Sequence, residues 1–175
     1  MSKTQLKKEL AKMTADQIGE LVLELYDARS EARDYLEFFV KPDIDVRLEK
    51  ARAAIRKEMW RTSRGRNKSR STRLRRYVRD ITSLNPGYEA VCEIMTFVIE
   101  TACAAGSEQW ITEPTQRAIA RFVSETVREA DRVGLLNIYL PRIEAAIQSM
   151  RSSWFRSNEF KSLLRETLND SLQSL

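Results

Sequence analysis

Positive charge is concentrated in one stretch of the sequence, from Arg61 to Arg79. The stretch holds nine of the thirty basic residues and no acidic one, which leaves twenty-one basic residues against twenty-five acidic ones elsewhere. It is therefore +9 in a chain that is −4 elsewhere, and charge this concentrated attracts polyanions. Guanidinium groups can hold phosphate oxygens in pairs. The candidate phosphate-binding residues are Arg64, Arg66, Lys68, Arg70, Arg73 and Arg76.

The basic stretch divides into two parts with different expected structures. Residues 61–71 are polar, lack apolar side chains and predict a flexible loop. Ser71 or Thr72 is predicted to cap the helix that follows. The apolar residues of this helix face inward by their spacing, so its arginines lie on the solvent side: Arg73, Arg76 and Arg79. Such a surface suits nucleic-acid phosphates, and binding would weaken steeply with salt.

A structural role for the basic stretch is the competing interpretation. Its side chains are then either solvated or paired with an acidic stripe on a later helix, formed by Glu89, Glu93 and Glu100. The aromatic residues available are Trp60, just before the stretch, and Tyr77, within it, and Tyr77 is expected to face the core. We therefore expect contact with a phosphate backbone rather than sequence-specific recognition of a single strand.

Several catalytic and metal-binding chemistries lack the residues that they need. The chain has no histidine, which excludes Ser-His-Asp and Cys-His nucleophiles, HExxH metal sites and Cys/His zinc fingers. Cys92 and Cys103 are too few for a four-thiolate site, and we expect both to be inert core thiols. No GxGxxG or GxxxxGKS/T segment is present to hold nucleotide phosphates. The sequence thus predicts a protein that is not an enzyme and needs no cofactor or metal.

Helices are the elements that must position these residues. Glycine and proline, which are costly inside helices, lie almost entirely between segments of helical periodicity, as at Gly65, Gly87, Gly106 and Gly134. No segment alternates with period two for long enough to predict a strand. We predict an all-α fold: a single-domain antiparallel helical bundle of seven or eight helices over residues 1–175.

Two of the predicted helices have distinctive patterns. Thr14 and Gln17 have the spacing of a capping box, which opens a long helix to about Phe39 with a narrow apolar seam. The segment from Tyr88 to Ala105 is apolar on nearly all sides and is predicted to be the central helix.

The sequence also bears on cellular location. The first residues are basic, but no apolar segment follows them, so no secretory signal is predicted. The richest apolar run, Val91 to Ala105, is interrupted by polar residues and falls short of the roughly 18 apolar residues of a membrane-spanning helix. Two cysteines too far apart on one helix to bridge favour a reducing compartment. We predict a cytoplasmic protein without a membrane partner.

Several short segments together resemble a known family. The segments are Ile55-Arg56-Lys57-Glu58, Gly65-Arg66-Asn67-Lys68, Pro86, and Glu93-Ile94-Met95 through Ile99-Glu100. They resemble an uncharacterised family of small all-helical bacterial proteins, a domain of unknown function, over most of the chain. The resemblance implies a bacterial cytoplasmic protein in which the basic loop is a shared feature, and it carries over no catalytic residue.

The leading hypothesis is a non-enzymatic helical protein that binds a polyanion, nucleic acid above all, through the basic loop and helix. The alternative is a helical scaffold or adaptor that binds another protein along an apolar groove. An acidic protein partner would fit the basic loop as well. The sequence leaves the oligomeric state open.

Overall fold

The computed structural model describes residues 2–60, 70–151 and 155–175. Over these residues the chain is 83% helical, with nine helices and no strand. The all-α prediction is confirmed, and the fold is consistent with a helical bundle. The chain divides into two compact units, Met1–Asp43 and Ile44–Leu175. The expectation of a single domain stays a prediction.

The first unit contains three helices, α1 (Lys3–Leu10), α2 (Ala15–Ala28) and α3 (Ser30–Val40). The predicted capping box is present at the start of α2. Thr14 Oγ1 accepts the Gln17 N–H at 3.3 Å, and the Gln17 side chain accepts the Thr14 N–H at 2.9 Å. Two donors that the first helical turn leaves unpaired are thereby satisfied.

The prediction of one long helix to about Phe39 is wrong, because the backbone is extended at Arg29 (φ −136°, ψ 118°). Across this break α3 packs against α2: the Tyr26 hydroxyl donates to Glu37 at 2.9 Å, and the Arg33 guanidinium lies 4.9 Å from the Tyr26 ring centre. No glycine or proline marks the position. A single straight helix could not bring these side chains together, so long-range contacts override the local helical preference here.

The second unit contains six described helices. They are α4 (Ile44–Met59), α5 (Ser71–Thr82), α6 (Tyr88–Glu108), α7 (Glu113–Arg132), α8 (Leu136–Ser149) and α9 (Phe155–Gln173). As predicted, α6 is the central helix: it packs against each of the other five, and Ile94, Val98 and Ile99 are fully buried. The turn between α5 and α6 uses Asn85 and Gly87 at positive φ, where the sequence predicts a helix end.

The position of Gly106 differs from the prediction. It was predicted to lie between helices, but α6 continues to Glu108 and Gly106 is buried inside it. A Cβ at this position would lie 3.0 Å from two carbons of the Phe160 ring and 3.2 Å from Met150 Cε. Glycine is therefore needed for close packing of α9 on α6, and not for a turn.

The same central helix has two further properties. By length and composition α6 could cross a membrane, although polar residues interrupt its apolar run. In the structure, however, 61% of its most apolar stretch is buried, as in the core helix of a soluble protein. Cys92 and Cys103 are free and buried on α6. Burial raises the thiol pKa to about 11 for Cys92 and about 12 for Cys103, so both thiols stay protonated at neutral pH.

Candidate nucleic-acid interface

The helix α5 is positioned by its apolar face, which puts its opposite face in solvent. Leu74, Val78 and Ile81 are buried against the core of the second unit. Arg76 and Arg79 lie on the opposite side by helical spacing, and both are exposed. We call Arg76 and Arg79 the α5 face.

The start of α5 is held by a buried carboxylate from α4. Glu58 is only 4% exposed, and it accepts the Arg70 N–H at 3.3 Å and an Arg73 guanidinium N–H at 3.2 Å. The predicted cap at Ser71 or Thr72 is therefore wrong. Arg70 is the N-cap residue, and a carboxylate from another helix satisfies its backbone donor in place of a local hydroxyl.

A second arginine holds α5 against α7. Arg75 donates two hydrogen bonds to Glu125 on α7, at 3.0 and 3.1 Å, and its guanidinium lies 4.8 Å from the centre of the Phe122 ring. Arg73 and Arg75 thus attach α5 to helices on its two sides. Within α5, Arg76 lies 3.7 Å from Asp80. Because both side chains are mostly exposed, this pair contributes little to the stability of the fold.

The structure places only part of the predicted site. Arg64, Arg66 and Lys68, with most of the predicted loop, lie outside the described residues. Arg70, Arg73 and Arg76 lie at the start of α5 and along it, where they belong to different faces. Arg73 faces the buried carboxylate of α4, whereas Arg76 faces solvent.

A second row of arginines lies on α7 and was not predicted from the sequence. Their side chains are exposed, and they recur at intervals of four, seven and four residues, which is the spacing of one helical face. We call this row the α7 ridge: Arg117, Arg121, Arg128 and Arg132. Because acidic residues are interspersed in this segment, the row does not appear as a charge run. The helical spacing is the signal that could have revealed it.

The acidic stripe of α6 does not pair with the described part of the basic stretch. Glu93 binds Arg52 of α4, 2.6 Å away, and Arg142 of α8, and Glu100 binds Arg142 at 2.9 Å. The guanidinium of Arg142, and then that of Arg52, lowers the pKa of Glu93. These glutamates therefore form a salt-bridged face that joins α4, α6 and α8.

A cleft of about 400 Å³ lies beside this network. It is lined by Asp45, Arg52, Glu89, Glu93 and Tyr139, among others. The Tyr139 hydroxyl donates to the Glu89 carbonyl at 3.0 Å, and burial, followed by Glu93, raises the Tyr139 pKa to about 12. Among the residues that the structure describes, no three acidic or cysteine side chains are grouped closely enough to hold a metal ion.

Comparison with known proteins identifies the family and no function. No curated protein matches the chain, and no solved structure matches it. The model of a family of unknown function, DUF6155, matches residues 1–167. The expected resemblance to an uncharacterised family is thereby confirmed. By this match over nearly its whole length, the chain belongs to DUF6155.

Proposed function

We propose that this protein binds nucleic acid through the phosphate backbone, using the basic stretch and the α5 face. The observation that carries the proposal is the contrast in charge, +9 over residues 61–79 and −4 in the rest of the chain. Opposite charge over such a surface draws a polyanion in and displaces its counterions.

The contacts of α5 support this use of its outward arginines. Arg73 and Arg75 are held by Glu58 and Glu125, so the helix is fixed on both sides while Arg76 and Arg79 extend into solvent. Tyr77 is the one aromatic residue of α5, and it packs against the core. The helix therefore offers guanidinium groups for phosphates and no ring for base stacking.

Fluorescence anisotropy with labelled DNA and RNA, from about 50 to 200 mM salt, tests the proposal. The double variant R76A/R79A removes two phosphate contacts and, for duplex DNA, should make the plot of log affinity against log salt shallower by about 1.8. A triple variant, R66A/K68A/R70A, tests the stretch before α5 in the same way. Arg165→Ala is the control, because Arg165 donates to Gln148 on α8 and belongs neither to the α5 face nor to the α7 ridge. Unchanged binding in both multiple variants would refute the proposal.

A scaffold or adaptor is the second candidate function, and the first unit favours it. Apolar side chains of α2 and α3 are exposed, including Leu25 at 49%, Tyr35 at 43% and Phe39 at 75%. Exposed apolar side chains in such number are typical of protein-binding surfaces. Sedimentation of the wild type and of the variant L25S/F39S tests this candidate, with Ile138→Ser, in an exposed position of α8, as the control. A monomeric wild type with no affinity for a second copy would remove self-association as the role.

A further inference from the structure

We propose that the α7 ridge is a second phosphate-binding row, so that the ligand is a duplex with one strand along α5 and the other along α7. This inference rests on the proposed function and extends it to the type of nucleic acid. The arginines of the α7 ridge lie outside the basic stretch, and acidic residues between them hide the row in the sequence.

The helices that carry the α5 face and the α7 ridge pack side by side. Arg75 of α5 contacts Phe122 and Glu125 of α7, and Thr82 of α5 lines one shallow groove together with Arg128 and Arg132 of α7. Residue numbers thus increase in the same direction along both helices. Arg79 lies between Arg75 and Thr82 along the axis of α5, so the exposed Arg79 lies on the length of α5 that packs beside α7.

The acidic residues between the rows are already neutralised. Arg75 binds Glu125. Arg132 donates from Nε to the Glu129 carboxylate at 2.9 Å, and this hydrogen bond lowers the Glu129 pKa. Arg121 and Arg128 are exposed and have no ion pair within the described part of the chain. Pairing removes the charge of Glu125 and Glu129 together with that of Arg75 and Arg132, so Arg121 and Arg128 are the ridge residues that offer positive charge to a phosphate chain.

The spacing of the rows suits two phosphate strands. The axes of packed helices lie about 8–10 Å apart, and Arg121 and Arg128, seven residues apart, are separated by about 10 Å along α7. The grooves of B-form DNA are about 6 and 12 Å wide. Arginine side chains on two helices packed at this distance can reach phosphates on the two sides of one groove, and we expect a single strand to follow α5 alone.

The test compares R121A/R128A with R76A/R79A on duplex and single-stranded DNA of one sequence. R121A/R128A should make the salt dependence for the duplex shallower by about 1.8 and leave that for the single strand nearly unchanged. R76A/R79A should weaken both ligands. Because all four side chains are exposed, circular dichroism should show no change in fold, and Arg165→Ala should bind as the wild type does.

Several outcomes would overturn the inference. If R121A/R128A leaves duplex binding intact while R76A/R79A weakens it, α7 is not a second row, although the proposed function stands. Equal weakening of single-strand and duplex binding by R121A/R128A would show that one strand crosses both rows. Equally tight binding of poly-glutamate would favour an acidic protein partner. No binding of any nucleic acid by the wild type would overturn the inference and the proposed function together.

Discussion

Replacing Arg142 with methionine should lower the free energy of unfolding by about 2 kcal/mol at pH 7. The Arg142 guanidinium on α8 donates to both glutamates of the α6 stripe, with Nε 2.9 Å from Glu100 and Nη2 3.2 Å from Glu93. Shielded hydrogen bonds to charged groups contribute about 1.5–3 kcal/mol. The side chains of Arg142, Glu100 and Glu93 are 34%, 31% and 22% exposed. Because solvent screens their charges in part, we assign about 1 kcal/mol of stabilisation to the bonds with each carboxylate. Methionine keeps the apolar stem, so the loss reports the guanidinium.

The loss should shrink as the pH falls. Arg142 lowers the pKa of Glu93 below its ordinary value of 4.5. A carboxylate whose pKa is lowered in the folded state stabilises the protein above its unfolded value, and this contribution disappears as the pH falls through the folded value. Arg142→Met leaves Glu93 with Arg52 as its partner, so less stability remains to be lost to acid. The difference between wild type and variant should therefore narrow below about pH 4.5.

Urea unfolding followed by circular dichroism at pH 7 and at about pH 3 measures both effects. Arg117→Met is the matched control: its pair with Glu113 spans 3.4 Å, the two side chains are 74% and 73% exposed, and the expected change is below about 0.5 kcal/mol. A loss that stays constant between the two pH values would refute the reasoning, because packing would then account for it and the ion pairs would not.

Four further substitutions test how individual residues stabilise the backbone and the packing. Gly106→Ala should lower the free energy of unfolding by about 1–3 kcal/mol in urea titrations, because its Cβ would press on the buried Phe160 ring at 3.0 Å. Gly87→Ala should lower the free energy of unfolding by about 1–3 kcal/mol in the same assay, because φ is +100° there although the space around it is open. Gly19→Ala lies inside α2 with nothing within 4 Å of its Cβ, so it should stabilise that helix and slow its amide exchange. Tyr139→Phe should cost about 1 kcal/mol in thermal unfolding, because it leaves a carbonyl on α6 without its 3.0 Å donor.

Most of the helical framework could be predicted from the sequence, because its signals are local. The capping box at Thr14 and the turn after α5 depend on residues a few positions apart, and both are present in the structure. The central position of α6 follows from its apolar composition. The extended residue at Arg29 and the position of Gly106 inside a helix could not be predicted, because contacts with a neighbouring helix determine them.

The candidate site was predictable only as a concentration of charge. Its residues could be identified by counting, but the role of each arginine depends on what lies opposite it in space. Glu58 engages Arg73, and Glu125, fifty residues along the chain, engages Arg75. The α7 ridge was missed because its arginines alternate with acidic residues and become a row only on the helix surface.

The all-α fold, the absence of histidine chemistry and the +9 stretch follow from the amino-acid sequence alone. These properties depend on residue type and short-range spacing, which packing does not change. Tertiary packing, in contrast, determines which charges are paired, which face solvent and which arginines become neighbours. This is because an ion pair acts over a few ångströms, and folding alone brings side chains fifty residues apart to that distance.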